Sequence, residues 1–193
     1  SKYFNLIKKS EKTVEVRLND AKRQKVKVGD IIEFCEEPDR DNKIDTIVVE
    51  LDKYNSFSDA IDDKGIKCFT NEDESSYLND LEKYYPKDKQ EENGVLAIIV
   101  SKVEKREKSC GAVVFKNIND KLHVLLIHHN LGHWGIPKGH VEGAEVEVET
   151  AKREVLEETG IETEVIPGFR EIITYSPKKN VLKDVIFFIG KSL

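Results

Sequence analysis

Apolar and polar residues alternate along several short stretches of the first hundred residues, as they do in half-buried strands. These stretches are rich in β-branched residues, and Gly29-Asp30 marks a turn between two of them. Strands are predicted for TVEVRL (13–18), KVKV (25–28), IIEF (31–34), DTIVVELDKY (45–54) and GVLAIIVSKV (94–103). With helix and loop expected over 56–84, the pattern predicts a small α+β or barrel-like domain.

A polar stretch, SKVEKREK (101–108), separates this region from a second one. Here the pattern predicts four strands and one helix, which begins near residue 146 and is stopped by Gly160. The predicted strands are CGAVVFK (110–116), LHVLLIH (122–128), 163–175 and 181–190. We therefore predict an α+β protein of two domains, 1–104 and 105–193.

Composition narrows the class of protein. Charged residues make up 35% of the chain and apolar residues 38%, which is typical of a well-hydrated globular protein rather than a fibrous one. The longest apolar runs, 95–100 and 185–190, are too short to cross a bilayer, and the first residues do not resemble a secretory signal. Three widely spaced cysteines predict no disulfide framework. We expect a cytoplasmic protein.

Three glutamates crowd one side of the predicted helix. Glu154, Glu157 and Glu158 stand at i, i+3 and i+4, so their carboxylates share a face and repel each other. One interpretation is a solvated helix face. The other is a site for a hard divalent cation such as Mg²⁺, which takes carboxylate oxygens and shares its remaining positions with water and phosphates.

Two further features flank these glutamates. Glu145 lies in the loop before the helix, eight residues from Arg153, and this separation suits a brace that holds the shape of the loop. Gly139 allows a close backbone approach, so its carbonyl can join the ligands of a metal. Glu142, Glu147 and Glu149 are interpreted as ordinary surface residues.

The spacing of these residues resembles the Nudix box at every fixed position. Gly139 is followed by five residues, Glu145, seven residues and then REVLEETGI (153–161). The resemblance implies a Nudix α/β/α sandwich that hydrolyses a nucleoside diphosphate linked to another group with Mg²⁺ or Mn²⁺. It implies metal ligation by Glu154, Glu157, Glu158 and the Gly139 carbonyl. Glu157 or Glu154 would also act as the general base, and the sequence does not choose between them.

The segments around the box resemble the asymmetrical diadenosine tetraphosphate hydrolases. These segments are HWGIPKGHVEGAE (133–145) and FREIITYSPKKNVLKDVIFF (169–188). Trp134 is expected to stack on a base of a dinucleoside polyphosphate, and Tyr175 to stack or donate to phosphate. The residues expected to contact the phosphates are Lys138, His133, Lys178 and Lys179. Alternatively, Trp134 anchors the core and the lysines are ordinary surface charge. A cap-like substrate is also left open. His128 and His129 are predicted to be structural.

The Nudix resemblance also carries an expectation about the end of the chain. A Nudix domain continues into further strand and a closing helix, whereas this sequence stops at Leu193. We therefore expect the domain to be truncated at its C-terminus.

Residues 1–104 resemble the ASCH domain, a small β-barrel related to the PUA fold. The family pattern Gly-x-Lys-x-x-Glu-x-Arg is present as SEKTVEVR (10–17), with Ser10 in place of the glycine. The resemblance implies a cleft with Lys12, Glu15 and Arg17 that takes RNA or a modified nucleobase. Glu15 and Arg17 share a face of the strand, so an exposed salt bridge is the alternative. This region has 18 basic and 24 acidic residues, which favours a narrow pocket or short single strand over a duplex.

Two classes of function follow. The first is a Nudix pyrophosphohydrolase, a metal-dependent enzyme that cleaves a phosphoanhydride, joined to an ASCH domain that binds RNA or nucleotides. The second is an RNA- or nucleotide-binding module whose Nudix part is a non-catalytic sensor. A third hypothesis gives the ASCH cleft its own hydrolytic chemistry on a modified base, with Lys12 and Glu15.

Overall fold

A computed structural model of the chain describes residues 2–38, 40–130 and 132–193. The chain divides into two compact units, Ser1–Glu104 and Lys105–Leu193. Among the described residues no helix is long and apolar enough to cross a membrane.

Unit 1 is built on a four-stranded antiparallel sheet in the order β1-β4-β3-β2. The strands are β1 (Val14–Leu18), β2 (Ile31–Cys35), β3 (Lys43–Tyr54) and β4 (Val95–Lys102). The described residues of this unit also form the α-helices α1 (Lys2–Lys8), α2 (Phe57–Lys64), α3 (Glu74–Tyr84) and α4 (Lys87–Asn93). In the described residues the sheet is an open half-barrel rather than a closed barrel, because no ladder joins β1 to β2.

The core of unit 1 forms where the apolar face of the sheet meets the helices. Val16 and Val95 of the sheet pack against Phe57, Phe69 and Tyr77, all of which are buried. The serine that replaces the family glycine keeps the backbone conformation of a glycine, since Ser10 has a φ of 59°. The turn before β1 is therefore preserved at a steric cost that a glycine avoids.

Unit 2 is a mixed sheet in the order β10-β11-β5-β6, with a short strand β9 also paired to β5. Its strands are β5 (Lys105–Ile118), β6 (Lys121–Val124), β7 (Ile127–His128), β8 (Trp134–Gly135), β9 (Lys138–His140), β10 (Thr163–Lys178) and β11 (Val181–Ser192). β11 and β5 are parallel. The described residues of unit 2 contain one helix, α5 (Glu147–Thr159), which covers one face of the sheet.

The predicted strand KVKV (25–28) is wrong, because a short 3-10 helix, Arg23–Lys25, and a turn precede β2 there. Two predicted boundaries also differ from the structure. The polar stretch 101–108 is mostly strand, because β4 runs to Lys102 and β5 begins at Lys105. The predicted strand 122–128 is divided between β6 and β7. In both places the ladder hydrogen bonds, which a single sequence does not display, decide where a strand ends.

Candidate functional site in unit 2

Helix α5 is held against the sheet by a narrow buried stripe. Ala151 and Val155 are buried against apolar side chains of β5 and β11, and Thr150 beside them is also buried. Val148 and Leu156, whose helical spacing would extend this stripe, are both exposed, so the apolar contact is narrow. The helix ends at Thr159 because the next residue, a glycine, adopts a left-handed conformation and donates to a carbonyl of the last turn.

Arg153 connects the helix to the loop before it. Its Nε and one terminal nitrogen donate to the two oxygens of Glu145, at 2.7 and 3.0 Å. The same terminal nitrogen also donates to the His140 carbonyl at 2.9 Å. The other nitrogen, Nη1, donates to both Glu154 and Glu157 at 2.9 Å. A single guanidinium therefore neutralises part of the charge of three carboxylates.

Glu145 is held in its charged form by these contacts. The hydrogen bond from Arg153 is the largest cause that lowers the pKa of Glu145 to about 2, followed by the backbone N–H of Glu142. Thr150 also donates to this carboxylate at 2.9 Å. Glu145 raises the pKa of Arg153 further above its usual range. The loop is thus joined to the helix by an ion pair whose carboxylate stays charged at neutral pH.

The third glutamate of the crowded face points elsewhere. Glu158 accepts the backbone N–H of Lys138 at 2.9 Å, which ties the last turn of α5 to β9. The neighbouring Gly139 lies against Glu154, and a Cβ added at position 139 would collide with that carboxylate. Only a glycine leaves room for the carboxylate here.

The three glutamates have the donor chemistry that a divalent cation prefers, but in this structure their carboxylates do not converge. Over the described ranges, no three His, Cys, Asp or Glu side chains form a group that could hold a metal ion. The donors are hard carboxylate oxygens, which suit Mg²⁺ or Mn²⁺. Nη1 of Arg153, between Glu154 and Glu157, shows that a positive charge is accommodated there. A closer approach of the carboxylates would require that nitrogen to withdraw.

The sheet face opposite α5 presents basic and aromatic side chains. Lys183 of β11 lies directly between Tyr175 of β10 and Glu107 of β5. Glu107 is also 3.5 Å from Nε2 of His140. Burial, and then the positive charge of Lys138, lower the pKa of Lys183. The ammonium groups of Lys138 and Lys183 have no hydrogen bond or ion pair to a described residue. This face of the sheet therefore favours binding of an anion.

Sequence reasoning missed Lys183. The available signal was its place in the alternating strand VLKDVIFF, where it shares a face with Val185 and Phe187 rather than with other charges. Of the predicted phosphate-contacting lysines, Lys178 ends β10 and its charge acts on Glu107, while Lys179 is exposed in the turn that follows.

An exposed hairpin carries the remaining predicted residues. Trp134 is 66% exposed and therefore does not anchor the core. Its ring contacts that of His128, with centroids 4.7 Å apart, and the rings of His129 and His133 stack at 4.4 Å. His129 fits the predicted structural role, since its ring also fills the space beside Gly135. The hairpin presents an indole face to solvent, which suits stacking on a planar ring.

A separate cavity of about 360 Å³ lies in unit 1, beside α1 and α3. Lys12, which precedes β1 rather than lying on it, is only 5% exposed and donates to Val14 and to Glu15, at 2.8 and 3.1 Å. Glu15 also pairs with Arg17, which is partly exposed. Burial lowers the pKa of Lys12. The aromatic residues that line the cavity are Tyr3, Phe4, Phe34, Tyr77, Tyr84 and Tyr85.

Comparison with known families assigns both units. A model of the ASCH domain matches residues 1–104, and a model of the NUDIX domain matches residues 106–190. The chain belongs to the ASCH family and carries a NUDIX domain. The two-domain α+β fold and both family resemblances predicted from the sequence are thereby confirmed.

Named relatives match the NUDIX domain. The asymmetrical bis(5′-nucleosyl)-tetraphosphatases of Rattus norvegicus and Sus scrofa are each 37% identical over 95 residues, 44% of this chain. The chain spans 64% of the length of these relatives. The crystal structure of a C. elegans Ap4A hydrolase is similar with 30% identity and a TM-score of 0.41, covering 44% of this chain and 67% of that one.

Proposed function

We propose that the NUDIX domain hydrolyses a phosphoanhydride bond in a nucleoside diphosphate-linked compound, with a dinucleoside polyphosphate as the substrate. The observation that carries the proposal is the joint hold of Arg153 on Glu145, Glu154 and Glu157 within a complete Nudix box. The name of the 37% identical relatives supports the substrate class. The proposal includes a reducing, cytoplasmic setting for three free cysteines, Cys35, Cys68 and Cys110.

We assign the metal site to Glu154, Glu157, Glu158 and the Gly139 carbonyl, with Mg²⁺ or Mn²⁺ as the ion. When bound, such an ion neutralises phosphate charge and lowers the pKa of a bound water. Without the ion, Nη1 of Arg153 holds Glu154 and Glu157. The bonds of Nε and Nη2 to Glu145 would keep the side chain of Arg153 at the site when Nη1 withdraws for the metal.

Glu157 is the better of the two candidates for the general base. Its side chain is 58% exposed, whereas that of Glu154 is 12% exposed and lies against Gly139. A base must reach the attacking water within hydrogen-bond distance, which favours the accessible carboxylate. Glu154 is then a ligand rather than the base.

The substrate contacts follow from the two exposed surfaces of the NUDIX domain. Lys138 and Lys183, with His133 and the turn lysines Lys178 and Lys179, are proposed to bind the polyphosphate. Trp134 stacks on one base, and Tyr175, beside Lys183, stacks on a base or donates to phosphate. Opposite charge between this face and the substrate supports the assignment.

A second function is favoured by the ASCH cavity. We propose that it takes a single base of RNA or a modified nucleobase, stacked on the tyrosines, with Arg17 and Glu15 facing its polar edge. The buried Lys12 ammonium is satisfied by Val14 and Glu15, which supports binding rather than hydrolysis there. Chemistry in the cavity with Lys12 and Glu15 is the alternative.

A nucleotide screen tests the first function. The full chain is incubated with dinucleoside polyphosphates, nucleoside triphosphates, nucleotide sugars and capped RNA, with Mg²⁺ or Mn²⁺, and the products are separated by anion-exchange chromatography. We expect cleavage of a dinucleoside tetraphosphate into mono- and triphosphate that a chelator abolishes. If the protein binds one of these compounds but hydrolyses none of them, the result would instead support the non-catalytic sensor.

Binding of nucleosides and short single-stranded RNA tests the second function. Tyrosine fluorescence or NMR shifts are followed in the parent, in Arg17→Met and in the control Arg23→Met, whose residue lies outside the cavity. Loss of binding in Arg17→Met alone is expected. Equal binding by all three proteins contradicts the assignment, and release of an altered base supports chemistry in the cavity.

A further inference from the structure

Glu147, interpreted from the sequence as an ordinary surface residue, is held by two cations. It makes a bidentate pair with Arg170, at 2.7 Å to Nε and 2.9 Å to a terminal nitrogen. Its other contact is Nζ of Lys108, at 2.5 Å. The side chain is 23% exposed. Glu149, on the same turn, is exposed and lacks such a pair among the described residues.

These contacts join three elements of the NUDIX domain. Glu147 is the first residue of α5, Lys108 lies on β5, and Arg170 belongs to the irregular part of β10 between Ile166 and Glu171. Hydrogen bonds from Arg170 and then Lys108 lower the pKa of Glu147 to about 2. The carboxylate is therefore charged throughout the neutral range, and the contacts persist there.

The start of the helix governs the proposed metal site. Glu145, two residues earlier, accepts from Arg153 and Thr150. Arg153 in turn bonds Glu154 and Glu157. A shift of the helix start relative to the sheet would therefore move the brace and the carboxylates together. Mutation of residues that orient ligands typically costs 10–100-fold in metal affinity or activity.

We propose that Glu147 is a positioning residue that fixes the start of α5 against β5 and β10 and so holds the proposed metal-binding carboxylates in place. This inference rests on the proposed function of the NUDIX domain. Glu147 acts through Glu145 and Arg153, so its loss should weaken metal binding and turnover more than substrate binding.

A matched pair of variants separates this role from a general helix effect. Glu147 and Glu149 are both acidic residues in the first turn of α5, where negative charge favours the helix dipole. Glu149→Gln removes the negative charge near the helix dipole and keeps an amide oxygen that can accept the backbone N–H of Val146. Glu147→Gln removes the charge and also the ion pairs with Arg170 and Lys108. Glu147→Asp retains the charge and serves as the conservative rescue.

The experiment measures three quantities well below the unfolding temperature: the Mn²⁺ affinity by electron paramagnetic resonance, and kcat and KM by steady-state hydrolysis. We expect Glu147→Gln to weaken Mn²⁺ binding and lower kcat by about 10-fold each, with KM within twofold of the parent. Glu149→Gln should match the parent and Glu147→Asp should recover part of the loss. Arg170→Met should resemble Glu147→Gln, and the double variant should be no worse than either.

The inference is wrong if Glu147→Gln lowers the melting temperature but keeps the Mn²⁺ affinity and kcat of the parent. Glu147 would then have a structural role only. In that result the parent still binds Mn²⁺ and hydrolyses its substrate, so the proposed function survives. A parent that binds no Mn²⁺ overturns both.

Discussion

The carboxylate of Glu154 lies against the α-carbon of Gly139, in the space that a side chain at position 139 would fill. Gly139→Ala should therefore displace this carboxylate, because the methyl group meets the carboxylate itself. We expect Mn²⁺ affinity to fall by at least about 10-fold, as for other residues that orient a metal ligand. This affinity is measured by titrating the folded variant with Mn²⁺ and following the free ion by electron paramagnetic resonance.

Gly143→Ala is the control for that substitution. Gly143 also lies before α5, with a φ of 54° but open space around it. An alanine there should cost about 1–2 kcal/mol of stability and leave Mn²⁺ affinity unchanged. Equal losses of affinity in the two variants would mean that loop strain, rather than the position of Glu154, is responsible.

Glu157→Gln should lower kcat by about 10²–10⁴-fold, because the amide neither accepts the proton of water nor binds a cation as strongly. The side chain is exposed, so circular dichroism and the melting temperature should stay close to those of the parent. Hydrolysis is followed by chromatography, with Glu162→Gln as an exposed control beyond the helix. Turnover at the parent rate would remove Glu157 from the chemistry.

Lys183→Gln should raise KM for a dinucleoside polyphosphate by about 10-fold or more, since charge-assisted hydrogen bonds contribute about 1.5–3 kcal/mol. Because burial and Lys138 lower the pKa of Lys183, its ammonium loses its proton at a lower pH than an ordinary lysine. KM of the parent should therefore rise with pH on the alkaline side, and this rise should be weaker in Lys183→Gln.

Lys191→Gln is the matched control for this prediction, because Lys191 is exposed near the end of the same strand. Its KM should follow that of the parent at every pH. If KM rises with pH in the same way in the parent and in both variants, deprotonation of Lys183 is not the cause of the rise.

Trp134→Ala should change substrate binding and not stability. The indole is largely exposed, so the free energy of unfolding should stay within about 0.5 kcal/mol of the parent. Loss of base stacking should raise KM by an amount equivalent to about 1–3 kcal/mol, and Trp134→Phe should recover part of it. A strongly destabilised variant with an unchanged KM would contradict the stacking role.

Acid should weaken the NUDIX domain through its paired carboxylates. The pKa of Glu145 and of Glu147 is about 2 in the folded protein, against an ordinary value of 4.5. A lowered folded pKa contributes stability that is complete above 4.5 and is lost as the pH falls toward 2. Urea unfolding at a series of pH values should show this loss in the parent and a smaller one in Glu145→Gln. Parallel curves would contradict it.

Sequence reasoning predicted the parts of the site that follow from fixed spacing. The shared face of Glu154, Glu157 and Glu158 follows from helix spacing, although their carboxylates do not converge in the structure. The eight-residue separation of Glu145 from Arg153 predicted a brace, and the two side chains are hydrogen-bonded. Most strands were predicted from alternation, which reports which residues are half buried, but KVKV (25–28) alternates and is not a strand. The open sheet of unit 1 was not predicted, because closure of a barrel depends on pairing between distant strands.

Contacts across the sheet were the part that sequence did not reveal. Glu147 and Arg170 are 23 residues apart in the sequence. Lys183 lies beside Glu107 only because β11 and β5 are parallel and paired in that register. Register is set by the packing of whole faces, not by the residues that it brings together. Glu147 was therefore assigned to the surface, and Lys183 was not selected at all.

The guanidinium of Arg153 has a consequence for how the NUDIX domain folds. Proteins whose metal ligands are bare in the free state commonly need the ion in order to fold. Here the arginine already serves as the counter-ion of Glu154 and Glu157, and it is part of the chain. We therefore expect the helix and its sheet to form without a metal, so that chelation abolishes the proposed hydrolysis and leaves the domain folded.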